Sequence, residues 1–178
     1  MWSAIRNSPI RHLLAAGLLL FVLAGLLFAM DPNRERAAKE AAAGQEGVRV
    51  RSDLDELSAL AVRAQRRAKT TVFRMTGRGC SDCFCRAGDL RKSAETTRCM
   101  AAWLNVLTRL DAAAGSTGAP AKYARDPWGS PYGIDENQGE GGAAACRTAD
   151  RLRSVGPDGI YGTADDIIVS IPLADDCP

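Results

Sequence analysis

Gly156-Pro157-Asp158-Gly159-Ile160-Tyr161-Gly162-Thr163-Ala164-Asp165-Asp166 sets three carboxylates within nine residues and runs straight into Ile167-Ile168-Val169-Ser170-Ile171, a β-prone segment that stops at Pro172. Glycine tolerates the left-handed backbone that a sharply folded loop requires. A calcium ion takes roughly six to eight hard oxygen ligands in flexible geometry. Two carboxylates and several inward-turned carbonyls supply most of such a set, and a bound cation would offset the repulsion among the clustered acids. The loop is not an EF-hand, because the Asp-x-Asp-x-Asp-Gly core and the terminal Glu are missing. A metal-free Asp/Gly-rich surface turn between two strands has the same composition. Either way the loop delivers the chain into a strand.

Upstream, Tyr132 to Asp135 and Leu152 to Val155 join Ile167 to Ile171 as the expected strands, with Gly139 to Ala145 as a flexible connection. Arg125-Asp126-Pro127-Trp128-Gly129-Ser130-Pro131-Tyr132 reads as a rigid, proline-bounded turn that buries an aromatic pair where the sheet begins and carries no reactive group. Before Tyr123 the periodicity is helical. Met100, Trp103, Leu104, Leu107 and Leu110 predict a helix from Ser93 to Ala114, and Gly115 to Pro120 a loop. Leu54, Leu57, Ala61, Ala64 and Ala68 share one face of an earlier helix, with Arg63, Arg66 and Arg67 on the solvated face. Ser52-Asp53-Leu54-Asp55 fits a capping box at its start, and Gly77 and Gly79 end the segment. Helices followed by a small antiparallel sheet make an α+β domain.

The most apolar run is Leu13 to Met30, without charge or proline. It is long enough for a membrane-spanning helix, which needs roughly 17–25 residues. A cleaved signal peptide, with Arg6 and Arg11 as its basic region, fits less well. The run exceeds the usual apolar core of about 7–15 residues, and Leu27-Phe28-Ala29-Met30 is a poor cleavage site. Arg34, Arg36 and Lys39 follow the run, so charge does not fix its orientation. The expected layout is a tail over 1–12, a membrane helix over 13–30, a stem over 31–51 and an extracytoplasmic domain over 52–178. Gly44 and Gly47 would weaken a helix in the stem by about 1 kcal/mol each.

Six cysteines, Cys80, Cys83, Cys85, Cys99, Cys146 and Cys177, stand beyond that anchor, four of them in an insert over 80–99. An even number outside the cytoplasm favours disulfides. Proximity pairs Cys85 with Cys99 and Cys146 with Cys177. Four thiolates in the insert would also suffice for zinc, but without two separated Cys-x-x-Cys knuckles. A thioredoxin-like enzyme would want its Cys-x-x-Cys in a βαβ setting, and none is visible. The one histidine, His12, abuts the membrane run, which leaves no Ser-His-Asp or Cys-His set, and there is no phosphate-binding Gly-Lys motif. No enzyme activity and no small-molecule substrate are expected. A net charge of +2, from 23 Lys and Arg against 21 Asp and Glu, provides no basic excess for nucleic acid.

Asp126-Pro127-Trp128-Gly129-Ser130-Pro131-Tyr132, then Leu152-Arg153-Ser154-Val155-Gly156-Pro157-Asp158-Gly159, then Asp165-Asp166-Ile167 together resemble the C-terminal half of the major pseudopilin of type II secretion systems. The likeness covers about residues 123–172 and, more loosely, the helix from Ser52. It implies a pilin-like fold and a structural Ca2+ bound before the last strand. It also implies side-chain ligands at Asp158 and at Asp165 or Asp166, with carbonyls near Leu152 and Ser154 and from the Ile160 to Thr163 stretch. The implied partners are the lipid bilayer and other pseudopilin subunits or copies of the chain. The implied location is the bacterial inner membrane, single-pass, with the C-terminal domain in the periplasm or at the cell exterior. Pilins begin with a basic leader ending in Gly and carry a Glu at the fifth position of the apolar run. Here Ser8-Pro9-Ile10-Arg11-His12 precede the run and it contains no Glu. The alternative is therefore a standalone membrane-tethered binding or sensory domain that reuses the fold.

Overall fold

The computed structural model describes residues 32–77, 81–94 and 97–177. The chain divides into two compact units, Met1–Ala42 and Ala43–Pro178. Of the first, the described part is solvent-exposed helix carrying an exposed Lys39–Glu35 ion pair. The expected tail and membrane helix, residues 1–12 and 13–30, lie outside the described residues. Among the described residues no helix is long and apolar enough to cross a membrane.

In the second unit, Val50, Leu54, Leu57, Leu60, Ala61 and Ala64 are all buried, at the three- and four-residue steps that put them on one face of helix α1, Pro32–Ala68. The capping box is corrected here, and the described part of the stretch called the stem is helical. The helix passes through Ser52 without a break, and through Gly44 and Gly47, beside which there is only open space. Extending an existing helix costs far less than starting one, so two glycines do not stop it. Asp53, freed from capping, accepts a hydrogen bond from the Tyr132 hydroxyl at 2.8 Å. Lys69, at φ +49, ends α1 eight residues before Gly77. A short helix α2, Val72–Thr76, follows, and Gly77 is its left-handed cap.

Helix α3, Arg98–Ala114, begins five residues later than expected, because Thr97 supplies the cap: its hydroxyl accepts from the Met100 amide at 3.4 Å. Its buried face carries Met100, Trp103, Val106, Leu107 and Leu110. The Trp103 indole N–H donates to the Tyr123 carbonyl at 2.8 Å. After Gly115 the buried Asp111 carboxylate accepts from Ser116 and from the Ala119 amide, which seats the short helix α4, Ala119–Lys122.

Three short strands close the domain: β1 Gly133–Asp135, β2 Arg151–Ser154 and β3 Ile167–Ser170. They form an antiparallel sheet in the order β1-β2-β3, with Ile134, Leu152 and Val169 in register across it. β1 and β3 are each one residue shorter than the sequence pattern suggests, and β2 keeps its length but lies one residue earlier. Ile134 and Leu152 join Ile171 and the apolar faces of α1 and α3 in one core. The α+β order is as expected. The buried aromatic pair is different: Tyr132 meets Trp103 of α3, ring centroids 6.4 Å apart, while Trp128 is only half-buried. The Gly139 to Ala145 stretch is not featureless, since it turns into a 3-10 segment, Ala143–Arg147.

Candidate metal centre

The β2–β3 connection folds on itself through its carboxylates. Asp158 Oδ1 accepts from the Ile160 amide at 2.7 Å, a local Asx turn. Asp165 Oδ2 accepts from the Asp158 amide at 3.1 Å, and Oδ1 from the Thr163 hydroxyl at 2.6 Å. The Thr163 hydroxyl holds the Asp165 carboxyl below the usual carboxylate range, and the Asp158 side chain is among the groups that interact with it. Gly156 makes the closure possible. Its φ is +68, and a Cβ there would fall 2.5 Å from the Asp165 carbonyl oxygen.

Asp166 faces elsewhere. Its Oδ2 pairs with Arg153 of β2 and accepts from the Gly162 amide at 2.9 Å. The pair is removed from solvent, with 15% of the Arg153 side chain and 4% of the Asp166 side chain exposed, and the Arg153 guanidinium lies 4.3 Å from the Tyr161 ring centroid. Asp166 Oδ1 is buried without a partner. The three carboxylates are thus split: Asp158 and Asp165 converge, and Asp166 is matched by Arg153. Among the described residues no three acidic, cysteine or histidine side chains converge on one point. A cation here would depend on two carboxylates, carbonyls and water. That donor set is hard oxygen throughout, the kind calcium takes.

Of the carbonyl positions, Leu152 sits mid-strand, in register with Ile134 and Val169, so its carbonyl belongs to the ladder. Ser154 is the last residue of β2 and is buried, its hydroxyl donating to Asp126 Oδ2 at 2.6 Å. The Ile160 carbonyl lies 3.0 Å from the Thr163 hydroxyl oxygen, whose one proton goes to Asp165, and the Thr163 carbonyl accepts from the Asp166 amide at 3.4 Å. Each retains a second lone pair.

The described cysteines form bonds rather than a thiolate cluster. Cys85 joins Cys99 and Cys146 joins Cys177, the two pairs expected from proximity. Cys83 is also disulfide-bonded. Cys80 lies outside the described residues.

Three features were not anticipated from the sequence. Asp126 is a hub: its carboxylate accepts from the Trp128 and Ser130 amides and from Ser154, tying the proline turn to the end of β2. Asp-Pro-x-Gly is the composition of an Asx turn and could have signalled this. Arg153 is the second, a basic residue between two inward-facing positions of β2. The third is the contact between the cysteine-rich insert and the loop, for which the sequence carries no signal. Comparison of the chain with protein-family models, with curated proteins and with solved structures finds no match.

Proposed function

We propose that this chain is a membrane-anchored, pseudopilin-like structural component of a type II secretion or type IV pilus-like assembly, with a structural Ca2+ in the 156–166 loop. The observation that carries the reading is the convergence of Asp158 and Asp165 across the β2–β3 loop. The Thr163 hydroxyl favours the ionised form of Asp165, which suits a carboxylate that faces a cation. Asp158 and Asp165 would be the side-chain ligands, joined by carbonyls from Ser154 and from residues 160–163. Ca2+ bound there would neutralise both carboxylates and tie the two ends of the loop together.

The rest of the reading has independent support. A long amphipathic helix followed by a small antiparallel sheet is the order the resemblance implies. Disulfides such as Cys85–Cys99 and Cys146–Cys177 suit an oxidising compartment, the periplasm or cell exterior. The apolar run over 13–30 suits an anchor in the inner membrane. The partners are then the bilayer and other subunits, or copies of this chain. A deletion strain tests it: secretion or surface filaments should be lost, wild-type chain should restore them, and Asp158→Ala/Asp165→Ala should restore them poorly. Normal secretion and normal filaments in the deletion strain would end the proposal.

A further inference from the structure

The cysteine-rich insert and the candidate cation loop lie far apart in sequence and share a seam in the fold. The Leu90 amide donates to the Gly159 carbonyl at 2.8 Å, and Asp89 forms an antiparallel bridge with Ile160. Arg91 Nη1 donates to the Pro157 carbonyl at 2.7 Å. The approach is close enough that a Cβ on Gly159 would sit 2.5 Å from Asp89 Oδ1. On the other flank the Tyr161 hydroxyl donates to Asp82 Oδ2 at 3.0 Å, and the Arg86 guanidinium lies 5.6 Å from the Tyr161 ring centroid. Three backbone positions of the loop and one of its side chains are therefore held by the insert.

Polar ties hold the ends of the insert: the Ser81 amide donates to Glu136 Oε2 at 3.1 Å, and Arg125 Nη2 donates to the Ser93 carbonyl at 2.6 Å, while Cys83 is disulfide-bonded near the start. Between those ends, where Asp89, Leu90 and Arg91 meet the loop, regular structure and apolar burial are slight. Over residues 81–94 its regular structure is two 3-10 turns, Cys83–Cys85 and Leu90–Lys92. Its apolar burial is a cluster separate from the main core, made of Cys85, Leu90, Cys99 and Val155 with Tyr161 packed against it. Two of those four residues are the halves of one disulfide. Through it Cys85 is tied to Cys99 in the first turn of α3, whose buried Trp103, Val106, Leu107 and Leu110 belong to the main core. Without that bond, the stretch from Arg86 to Lys92 would have to keep its place against conformational entropy with short turns, polar contacts and little buried surface.

We propose that the insert is a redox-sensitive clamp: Cys85–Cys99 holds Asp89, Leu90 and Arg91 on the backbone of the 156–166 loop, so that opening this bond loosens the loop and lowers its affinity for a divalent cation. The clamp rests on the geometry above, and its consequence for the cation rests on the calcium reading. The reductant is a dithiol. One thiolate attacks Sγ of Cys85 or Cys99 to form a mixed disulfide, and the second thiol displaces it. The dithiol leaves as a disulfide, and Cys85 and Cys99 become thiols, with two electrons and two protons transferred. Because coupling is reciprocal, bound Ca2+ must protect Cys85–Cys99 by the factor that the bond improves Ca2+ binding.

The full chain in detergent provides the test. Wild type, Cys85→Ala/Cys99→Ala and Cys146→Ala/Cys177→Ala are titrated with Ca2+, and amide exchange at Leu90 and Ile160 is followed in chelator. The first pair should raise the dissociation constant about fivefold or more, at the low end for coupled sites, and speed exchange at both amides. The second pair should do neither. In wild type, saturating Ca2+ should shift the thiol–disulfide equilibrium of Cys85–Cys99 in a dithiol buffer toward the disulfide and leave that of Cys146–Cys177 unaffected, a readout that holds even where the double variant does not fold. Unchanged affinity in Cys85→Ala/Cys99→Ala, or equal protection of both disulfides, overturns the clamp and leaves the calcium reading intact. If wild type binds no Ca2+, the calcium reading fails, and exchange decides the clamp alone: unchanged rates overturn it, and faster rates uphold it as a brace without a cation.

Discussion

Replacing Gly156 by alanine should be among the most damaging changes of one carbon in this protein. The added Cβ would lie 2.5 Å from the Asp165 carbonyl oxygen and 2.6 Å from Asp165 Oδ2. The carboxylate could swing aside, but the carbonyl is backbone, so the loop itself must move. An L-residue in the left-handed region costs about 1–2 kcal/mol. Forcing a carbon into a packed site adds about 1–3 kcal/mol. The sum is about 2–5 kcal/mol. Gly162 provides the control, since its φ is +84 and nothing lies within 4 Å of its Cβ position. Gly162→Ala should therefore show the backbone part alone, about 1–2 kcal/mol. Thermal unfolding of both variants in chelator reads the difference. For a chain of this size each kcal/mol shifts the melting temperature by about 2–4 °C, so Gly156→Ala should melt roughly 10 °C below wild type. On adding Ca2+, Gly156→Ala should recover less than Gly162→Ala, because its Asp165 is displaced. Equal melting of the two variants in chelator would refute the close approach of Gly156 to Asp165, and with it the folded shape of the loop.

Arg153→Met should cost about 3–5 kcal/mol in denaturant unfolding, because it strands the buried Asp166 carboxylate. Arg153→Met/Asp166→Asn should recover most of that, and a double variant no better than the single would show that the pair is not the cause. Trp103→Phe should lose about 1–3 kcal/mol through the unpaired Tyr123 carbonyl, read by the same assay. Burial pushes the Asp150 carboxyl up from 3.8 to about 6, with Oδ1 accepting from the Asn137 and Gln138 amides and Oδ2 buried without a partner. The native state thus holds that proton more tightly than the unfolded chain, so this contribution is full below about 4 and is lost as pH rises to about 6. Asp150→Asn should flatten the stability profile in that window, and an unchanged slope would place the proton elsewhere.

The elements that were legible in the sequence are those whose signal is local. Short β-prone runs bounded by Gly and Pro located all three strands to within a residue at the ends. The step pattern from Leu54 to Ala64 located the buried face of α1. Its beginning was not legible, because Ser52-Asp53 has the composition of a cap while its neighbours already form a helix. Asp53 is used across the fold, for Tyr132. At the candidate site the carboxylates were readable as a cluster, but their division was not. Asp165 and Asp166 are adjacent in sequence and face opposite needs, one toward Asp158 and one toward Arg153, and only the fold of the loop separates them. The seam with the insert, from Leu90 to Gly159, joins segments some seventy residues apart, and no periodicity encodes such a contact.

The central claim is that the 156–166 loop holds calcium, and a thermal melt of the oxidised full chain tests it most directly. Scans in excess Ca2+, in excess Mg2+ and in chelator would be compared. A ligand that binds only the native state adds about 2.7 kcal/mol at 100 times its dissociation constant. Wild type should then melt roughly 5–10 °C higher in Ca2+ than in chelator, with a smaller rise in Mg2+, and Asp158→Ala/Asp165→Ala should show no Ca2+ effect. Superimposable curves for wild type in Ca2+ and in chelator would contradict the account, leaving the loop as a turn closed by its own hydrogen bonds.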